Sequence, residues 1–371
     1  MRIRTLQVGT AVLAAVVTCS ACGAASTPSN KSASARPPNA RCIQTRGAGT
    51  AYFSNGARDV EAVDLPGGHV RWEARLPRPY HNVLSISIVA CKSTGYVLAE
   101  SHGGTAALVP ISLTTAKFEK PIPVGLEGPV AISPNGSRAY VANSGNLAGL
   151  EGPHGSTVTP VNLTTNRALP PIHVGGAPGG IAVTRDGKTL LVSFQNNKVS
   201  AVPITAAPHR VDRSITLPTS SSGDTVAGPI TIDPVHNIAL VGNLQQDLGW
   251  PADVVNVINL NTYRAEPPIV LGGHAYPSSE APVVSSNGRT AFALGGAGLR
   301  VIDLTNRTSS PPKPGIAMAM GPRGETLYVC EAANSYTRTN LVAVNSTTGI
   351  AGPVITTLPY VTHAFAVGAR R

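Results

Sequence analysis

Charged and aromatic residues are both scarce in this chain of 371 residues. Charged side chains make up 13% of it and aromatic side chains 4%, whereas Gly and Pro number 38 and 32. The chain also lacks the G-x-S-x-G elbow of serine hydrolases, the Walker A phosphate loop and the G-x-G-x-x-G dinucleotide turn. This composition disfavours long helices and indicates short strands joined by many turns.

Clusters of basic residues are missing from most of the chain. The formal net charge is +10, but five of the 29 basic residues precede Cys42. No later stretch interleaves Lys and Arg with aromatic residues in the way that nucleic-acid-binding surfaces do. We therefore expect no nucleic-acid partner.

A single long apolar run is present, Val8 to Val17, and it follows Arg2 and Arg4. It is too short for a comfortable membrane span and is typical of an export signal, which we place at residues 1–21. The segment that ends it, "CSAC", is similar to a bacterial lipobox with Cys22 as the lipidated residue. The alternative is ordinary cleavage near Ala24 or Ala25, which would release a secreted protein.

The segment that follows the signal is small, polar and rich in Pro. Residues 22–41 show no apolar periodicity and cannot bury enough surface to fold, so we predict a disordered tether. A tether behind a lipid-bearing Cys22 would hold a domain of residues 42–371 at the outer face of the cytoplasmic membrane. We expect membrane contact through the lipid anchor only.

A repeat extends over the rest of the chain. Seven copies of one apolar strand occur: "TAYFSN" at 50, "GYVLAE" at 95, "RAYVAN" at 138, "TLLVSF" at 189, "IALVGN" at 238, "TAFALG" at 290 and "TLYVCE" at 326. A strand and a tight turn such as "SPNG" precede most copies, and a third and often a fourth strand follow. Four antiparallel strands per repeat predict the blades of an all-β, seven-bladed β-propeller.

Closure of the ring is also predicted by the alignment. Phe365 to Gly368 match the first strand of a repeat, and the chain ends where the turn to a second strand belongs. The missing second strand is the first "TAYFSN" segment. The C-terminal strand is therefore expected to join the N-terminal blade.

These segments resemble a known family. "VAISPNGSRAYVAN" and the residues after it, to "LLVSF" at 194, are similar to the YVTN-type propeller repeat of exported bacterial proteins. The resemblance implies a seven-bladed propeller, and related propellers include lactonases. The two Trp and the absence of a "WD" dipeptide separate the chain from quinoprotein and WD40 propellers.

Candidate ligand-binding residues lie in the loops that depart from the repeat. Connections from a fourth strand to the next blade, and from second to third strands, meet on one face, here called the funnel face, where ligand sites are sought. The candidates are Tyr80, His81, Glu127, Asp224, Trp250, His274, Tyr276, Glu280, Tyr360 and His363. His102 and the remaining histidines are expected to be surface or strand residues.

Two functions remain open at this point. The first is a monomeric binding module for an envelope protein or a small polar ligand. The alternative is a lactonase-type hydrolase that uses a carboxylate or His of the funnel face as general base, with or without a metal. Because no H-x-H or H-E-x-x-H spacing occurs, we assign no metal ligands, no catalytic residues and no cofactor.

Three cysteines fall within the predicted propeller. Exported proteins can keep disulfides, and the ring scheme places Cys42 and Cys91 on the same rim of adjacent blades, where they could pair. Cys330 belongs to a second strand and is expected to be a buried thiol. A pairing of Cys42 with Cys330 would suit a different first strand in blade one.

Overall fold

The computed structural model describes most of the chain after residue 48. The described ranges are 49–54, 58–65, 67–89, 92–145, 155–194, 196–205, 209–218, 227–233, 235–243, 254–271, 281–295, 298–333, 338–359 and 364–369. In these ranges there are 29 strands and no α-helix. Accordingly, they contain no helix that could cross a membrane.

The strands form seven antiparallel sheets, which are the blades of a seven-bladed β-propeller. Blade one contains β1 (Gly49–Ser54), β2 (Asp59–Asp64), β3 (Val70–Arg75) and the C-terminal β29 (Ala364–Ala369). Blade two contains β4 (Tyr80–Ile88), β5 (Thr94–Ser101), β6 (Thr105–Ser112) and β7 (Ile122–Leu126). Blade three contains β8 (Val130–Ile132), β9 (Arg138–Asn143), β10 (Thr157–Asn162), β11 (Arg167–Ala168) and β12 (Ile172–His173).

The other four blades follow in chain order. Blade four contains β13 (Pro178–Val183), β14 (Thr189–Phe194), β15 (Lys198–Pro203) and β16 (Arg213–Thr216). Blade five contains β17 (Ala227–Asp233), β18 (Ile238–Asn243), β19 (Val254–Asn259) and β20 (Arg264–Val270). Blade six contains β21 (Val283–Val284), β22 (Thr290–Gly295), β23 (Gly298–Asp303) and β24 (Thr308–Ser309), and blade seven contains β25 (Ala317–Met320), β26 (Thr326–Ala332), β27 (Arg338–Asn345) and β28 (Ala351–Pro359).

The core lies between the blades. In β5, Val97 and Ala99 pack into an apolar cluster shared with blade one, whereas Tyr96 and Leu98 pack into a cluster shared with blade three. Both faces of a second strand are therefore buried, because successive side chains point to opposite sides of the sheet. This double burial explains why the seven repeat segments are continuous apolar runs and do not alternate with polar residues.

Tight turns join the first and second strands as the sequence predicts. In blade three, Gly136 adopts a φ of 64°, which a residue without Cβ reaches at no steric cost. The hydroxyl of Ser133 donates to Asn135 Oδ1 at 2.8 Å, and the same oxygen accepts the Ser137 backbone N–H at 3.0 Å. The Asn-Gly turn thus positions strands.

Prolines shorten two outer strands. The fourth strand of blade three is split into β11 and β12, which both pair with β10, and Pro170 and Pro171 lie between them. A proline has no N–H to donate to a neighbouring strand, so pairing stops there. In blade six, β24 is two residues long and ends shortly before Pro311.

The C-terminal strand closes the ring. β29 pairs antiparallel with β1 from Gly49 opposite Ala369 to Ser54 opposite Ala364, which confirms the predicted closure. Phe365 is 1% exposed and belongs to the apolar cluster between blades seven and one. The fully buried Cys330 belongs to the same cluster. Cys42 and Cys91 lie outside the described residues, so their pairing stays a prediction.

We expect Phe365→Ala to lower the free energy of unfolding by about 3–5 kcal/mol, because it leaves a cavity at the interface that joins the two ends of the ring. Denaturant unfolding of the wild type and the variant measures the difference. The matched control is Phe118→Ala, since Phe118 is only partly buried at the outer rim of blade two. A loss for Phe365→Ala no larger than for Phe118→Ala would contradict this role.

Candidate functional site

The structure describes three of the ten predicted ligand-binding residues: Tyr80, His81 and Glu127. All three lie at the funnel-face end of blade two or at its junction with blade three. The other seven lie outside the described residues, namely Asp224, Trp250, His274, Tyr276, Glu280, Tyr360 and His363. The predicted lipidation site, Cys22, also lies outside them. For these residues the assignments remain predictions.

Tyr80 and His81 lie on a strand, although the sequence placed them in a loop. β4 begins at Tyr80, which is opposite Ser101, and the next pair joins Asn82 to Glu100. His81 is therefore the extra residue of a β-bulge, a feature that turns a side chain away from the regular alternation of a strand. Burial raises the pKa of the Tyr80 hydroxyl above its ordinary value.

The bulge brings His81 onto a second imidazole. The rings of His81 and His102 stack with centroids 4.0 Å apart and planes inclined by 5°. His102 lies in the turn that follows β5 and is exposed. His81 Nδ1 is buried and has no hydrogen-bond partner. The pair presents the open face of His102 to solvent.

Asn82 and Glu100 face each other across β4 and β5. Asn82 Nδ2 donates to Glu100 Oε2 at 3.4 Å. The oxygen of the same amide, Asn82 Oδ1, is buried and accepts no hydrogen bond. Leu98, two residues before Glu100, packs in the apolar cluster between blades two and three. Since side chains two apart share a face, Glu100 lies at the funnel end of that interface.

Glu127 lies in the connection from β7 to β8, where the backbone is held closely. Its carbonyl oxygen accepts the N–H groups of Ser144 at 3.0 Å and Gly145 at 3.2 Å. At Gly128, a Cβ would stand 2.1 Å from the carbonyl oxygen of Ala142, so only glycine fits there. These contacts fix the position of the Glu127 backbone relative to β9.

The pKa of the Glu127 carboxyl group is strongly raised. Burial, and after it the neighbouring carboxylate of Glu100, raises its pKa to about 7. Both causes disfavour the charged form, since a buried charge loses hydration and two like charges repel. A carboxyl group with this pKa exchanges protons at neutral pH, which is the property of a general acid or base.

His81, Asn82, Glu100, His102 and Glu127 together form what we call the rim cluster. Asn82 and Glu100 were not among the residues predicted from the sequence, and His102 was expected to be a surface or strand residue. A signal for Glu100 was present in the repeat. Because Tyr96 lies opposite Pro110 as Tyr140 lies opposite Pro160, Glu100 has the position of Ser144, the small residue that follows Asn143 in blade three. Asn143 uses its whole amide internally, since Oδ1 accepts Leu126 N–H and Nδ2 donates to the hydroxyls of Thr157 and Thr159.

The rim cluster is not a metal centre of a familiar kind. In the described part of the chain, no group of three or more His, Cys, Asp or Glu side chains is arranged to hold a metal ion. The cluster instead offers two carboxylates, an unpaired amide oxygen and a flat pair of imidazole rings. This set is suited to a polar organic ligand.

The comparison with solved structures supports the fold. The chain belongs to the class of seven-bladed β-propellers by its sheet topology. Among solved structures, it is similar to a chain of hydrazine synthase from Kuenenia stuttgartiensis, with a TM-score of 0.55 and 18% sequence identity over 71% of this chain and 76% of that one. Likeness at this identity shows the fold alone. No family model and no curated protein matches the chain.

We expect Glu127→Gln to gain stability relative to the wild type as pH rises from about 4.5 to about 7. In this window the folded protein holds a proton on Glu127 that the unfolded chain has lost, so wild-type stability falls with rising pH. The glutamine is neutral throughout and lacks this loss. Thermal melting across the pH range measures the difference.

The control is Glu266→Gln, which should behave in the opposite way. Hydrogen bonds from Asn259 and Arg307 lower the pKa of Glu266, so its stabilising effect is present at neutral pH and is lost in acid. A difference between wild type and Glu127→Gln that does not change with pH would contradict the raised pKa.

Proposed function

We propose that this protein is an exported, lipid-anchored β-propeller of the YVTN type that binds a polar ligand on its funnel face at the cell envelope. The rigid ring positions the loops, and the rim cluster of blades two and three contacts the ligand. The signal at residues 1–21, the lipobox-like "CSAC" and the tether of residues 22–41 support export and anchoring. The repeat segments support the family.

The observation that carries the binding function is the rim cluster itself. Asn143, at the same rim of blade three, satisfies its amide internally. In the rim cluster, by contrast, His81 Nδ1 and Asn82 Oδ1 are buried without partners. Unsatisfied buried polar atoms are costly, and an external ligand is one way to satisfy them.

A hydrolase of the lactonase type is the second candidate, and the pKa of Glu127 favours it. A carboxylate that titrates near neutrality can accept a proton from an attacking water. Glu127 would be the base in this case, and the rim cluster would hold the substrate. The proposal of a binding module does not depend on this activity.

We expect at least one class of compound to raise the melting temperature of the wild type in a panel of small amines, carboxylates, polyols and lactones, since binding to the folded state stabilises it. His102→Ala should abolish the shift without lowering the melting temperature of the free protein, because His102 is exposed. His69→Ala, an exposed histidine on the opposite face of blade one, is the control. Consumption of a lactone that stops in Glu127→Gln would establish the hydrolase.

A panel without any effect on the wild type would contradict a small polar ligand. A shift that His102→Ala leaves intact would place the ligand elsewhere on the protein.

We expect Cys22→Ser to move the full-length protein from the membrane fraction to the soluble fraction of the exporting cell, because it removes the thiol that carries the lipid. Fractionation followed by immunoblotting measures this, and Cys19→Ser is the matched control since it leaves Cys22 in place. Equal membrane association of Cys22→Ser and the wild type would overturn the anchoring proposal.

A further inference from the structure

We propose that the ligand of the rim cluster carries a protonated amine, which the cluster holds between the carboxylates of Glu100 and Glu127. The inference rests on the proposed binding function and names its ligand class. It applies to any primary alkylamine that reaches the funnel face. Two sources share this chemistry: a free diamine and a lysine side chain of a peptide.

Glu100, Glu127 and Asn82 together offer more hydrogen-bond acceptors than donors. Glu100 and Glu127 accept hydrogen bonds through their carboxylate oxygens, and Asn82 adds the buried Oδ1 that no donor reaches. Asn82 Nδ2 is already used by Glu100. An alkylammonium group has three N–H donors and no acceptor, so it complements a site that has acceptors to spare.

The charges of Glu100 and Glu127 also favour a cationic ligand. The described ion pairs involve Asp59, Asp212, Asp233 and Glu266, and neither Glu100 nor Glu127 takes part in one. Among the described residues, the charged neighbour that acts on the pKa of Glu127 is the like-charged Glu100. A cation placed between them would turn this repulsion into two attractions and would lower the pKa of Glu127.

The surroundings of the two carboxylates favour an organic cation over a metal ion. The described residues hold no group of three metal-ligating side chains. The same end of blade two carries the stacked pair of His81 and His102, whose exposed ring face is flat. Methylene groups of an alkylamine can pack on this face while the ammonium group contacts the carboxylates. A bare metal ion would make no use of the ring face.

Titration calorimetry of the full folded protein at about pH 8, where both carboxylates are largely ionised, tests the proposal. The probes are cadaverine and a blocked peptide with one lysine. We expect Glu100→Gln and Glu127→Gln each to weaken binding of the bound probe by about tenfold or more, since each removes a charged hydrogen-bond partner. Glu100→Ser, which installs the residue that blade three has at the equivalent position, Ser144, should weaken it similarly.

The matched control is Glu61→Gln on β2 of blade one. Glu61 is another carboxylate whose pKa is raised by burial and by neighbouring carboxylates, here Glu73 and Asp59, and the stacked histidines of the described chain lie in blade two, not beside it. Its loss should leave amine binding unchanged. Thermal melting of every variant shows that the fold is intact, and a variant that fails to fold is replaced by the other substitution at the same site.

The outcomes separate the ligand sources and the two proposals. Binding of cadaverine supports a free diamine, and binding of the lysine peptide alone supports a peptide source. If Glu61→Gln weakens amine binding as much as Glu100→Gln and Glu127→Gln do, the proposed site is wrong. Pentanediol, glutarate and calcium chloride are tested in the same way. If one of them binds the wild type but not His102→Ala, and neither amine binds, the amine inference is wrong and the binding function stands. If nothing binds, the binding function fails as well.

Discussion

Pairing of β29 with β1 is the interaction on which the rest of this structure depends. Six residues from the C-terminal end of the described chain form the innermost strand of a blade whose other three strands come from its N-terminal part. This pairing covers the hydrogen-bonding edge of β1 and completes the apolar cluster that Phe365 and Cys330 share. Each blade buries both faces against its neighbours, so an open ring would leave two apolar sheets exposed to water.

Within the closed ring, the repeat decides where function can arise. At the end of the second strand of blade three, the Ser144 hydroxyl donates to the carbonyl oxygen of Pro178 in the next blade. Glu100 has the equivalent position in blade two, and an ionised carboxylate cannot donate a hydrogen bond. The substitution removes an internal link and leaves an acceptor at the funnel face. The candidate site thus lies where one blade departs from the shared pattern.

The rim cluster also shows how a rigid fold alters acidity. The Glu127 backbone is held against β9 by Ser144, Gly145 and the close approach at Gly128, which fixes the point from which its side chain extends. Burial and repulsion then raise its pKa to about 7. The same contacts that join blades two and three therefore create a group that exchanges protons at neutral pH.

The sequence by itself determined the strands, the tight turns, the number of blades and the closure of the ring. These features follow from local rules: apolar runs predict strands buried on both faces, and Asn-Gly turns predict hairpins. Tertiary structure alone decided which polar side chains meet. The bulge at His81 turns its ring onto His102, and packing of blade two against blade three brings Glu127 to Glu100. No local pattern encodes these contacts, because they depend on strand register and on the distance between neighbouring blades.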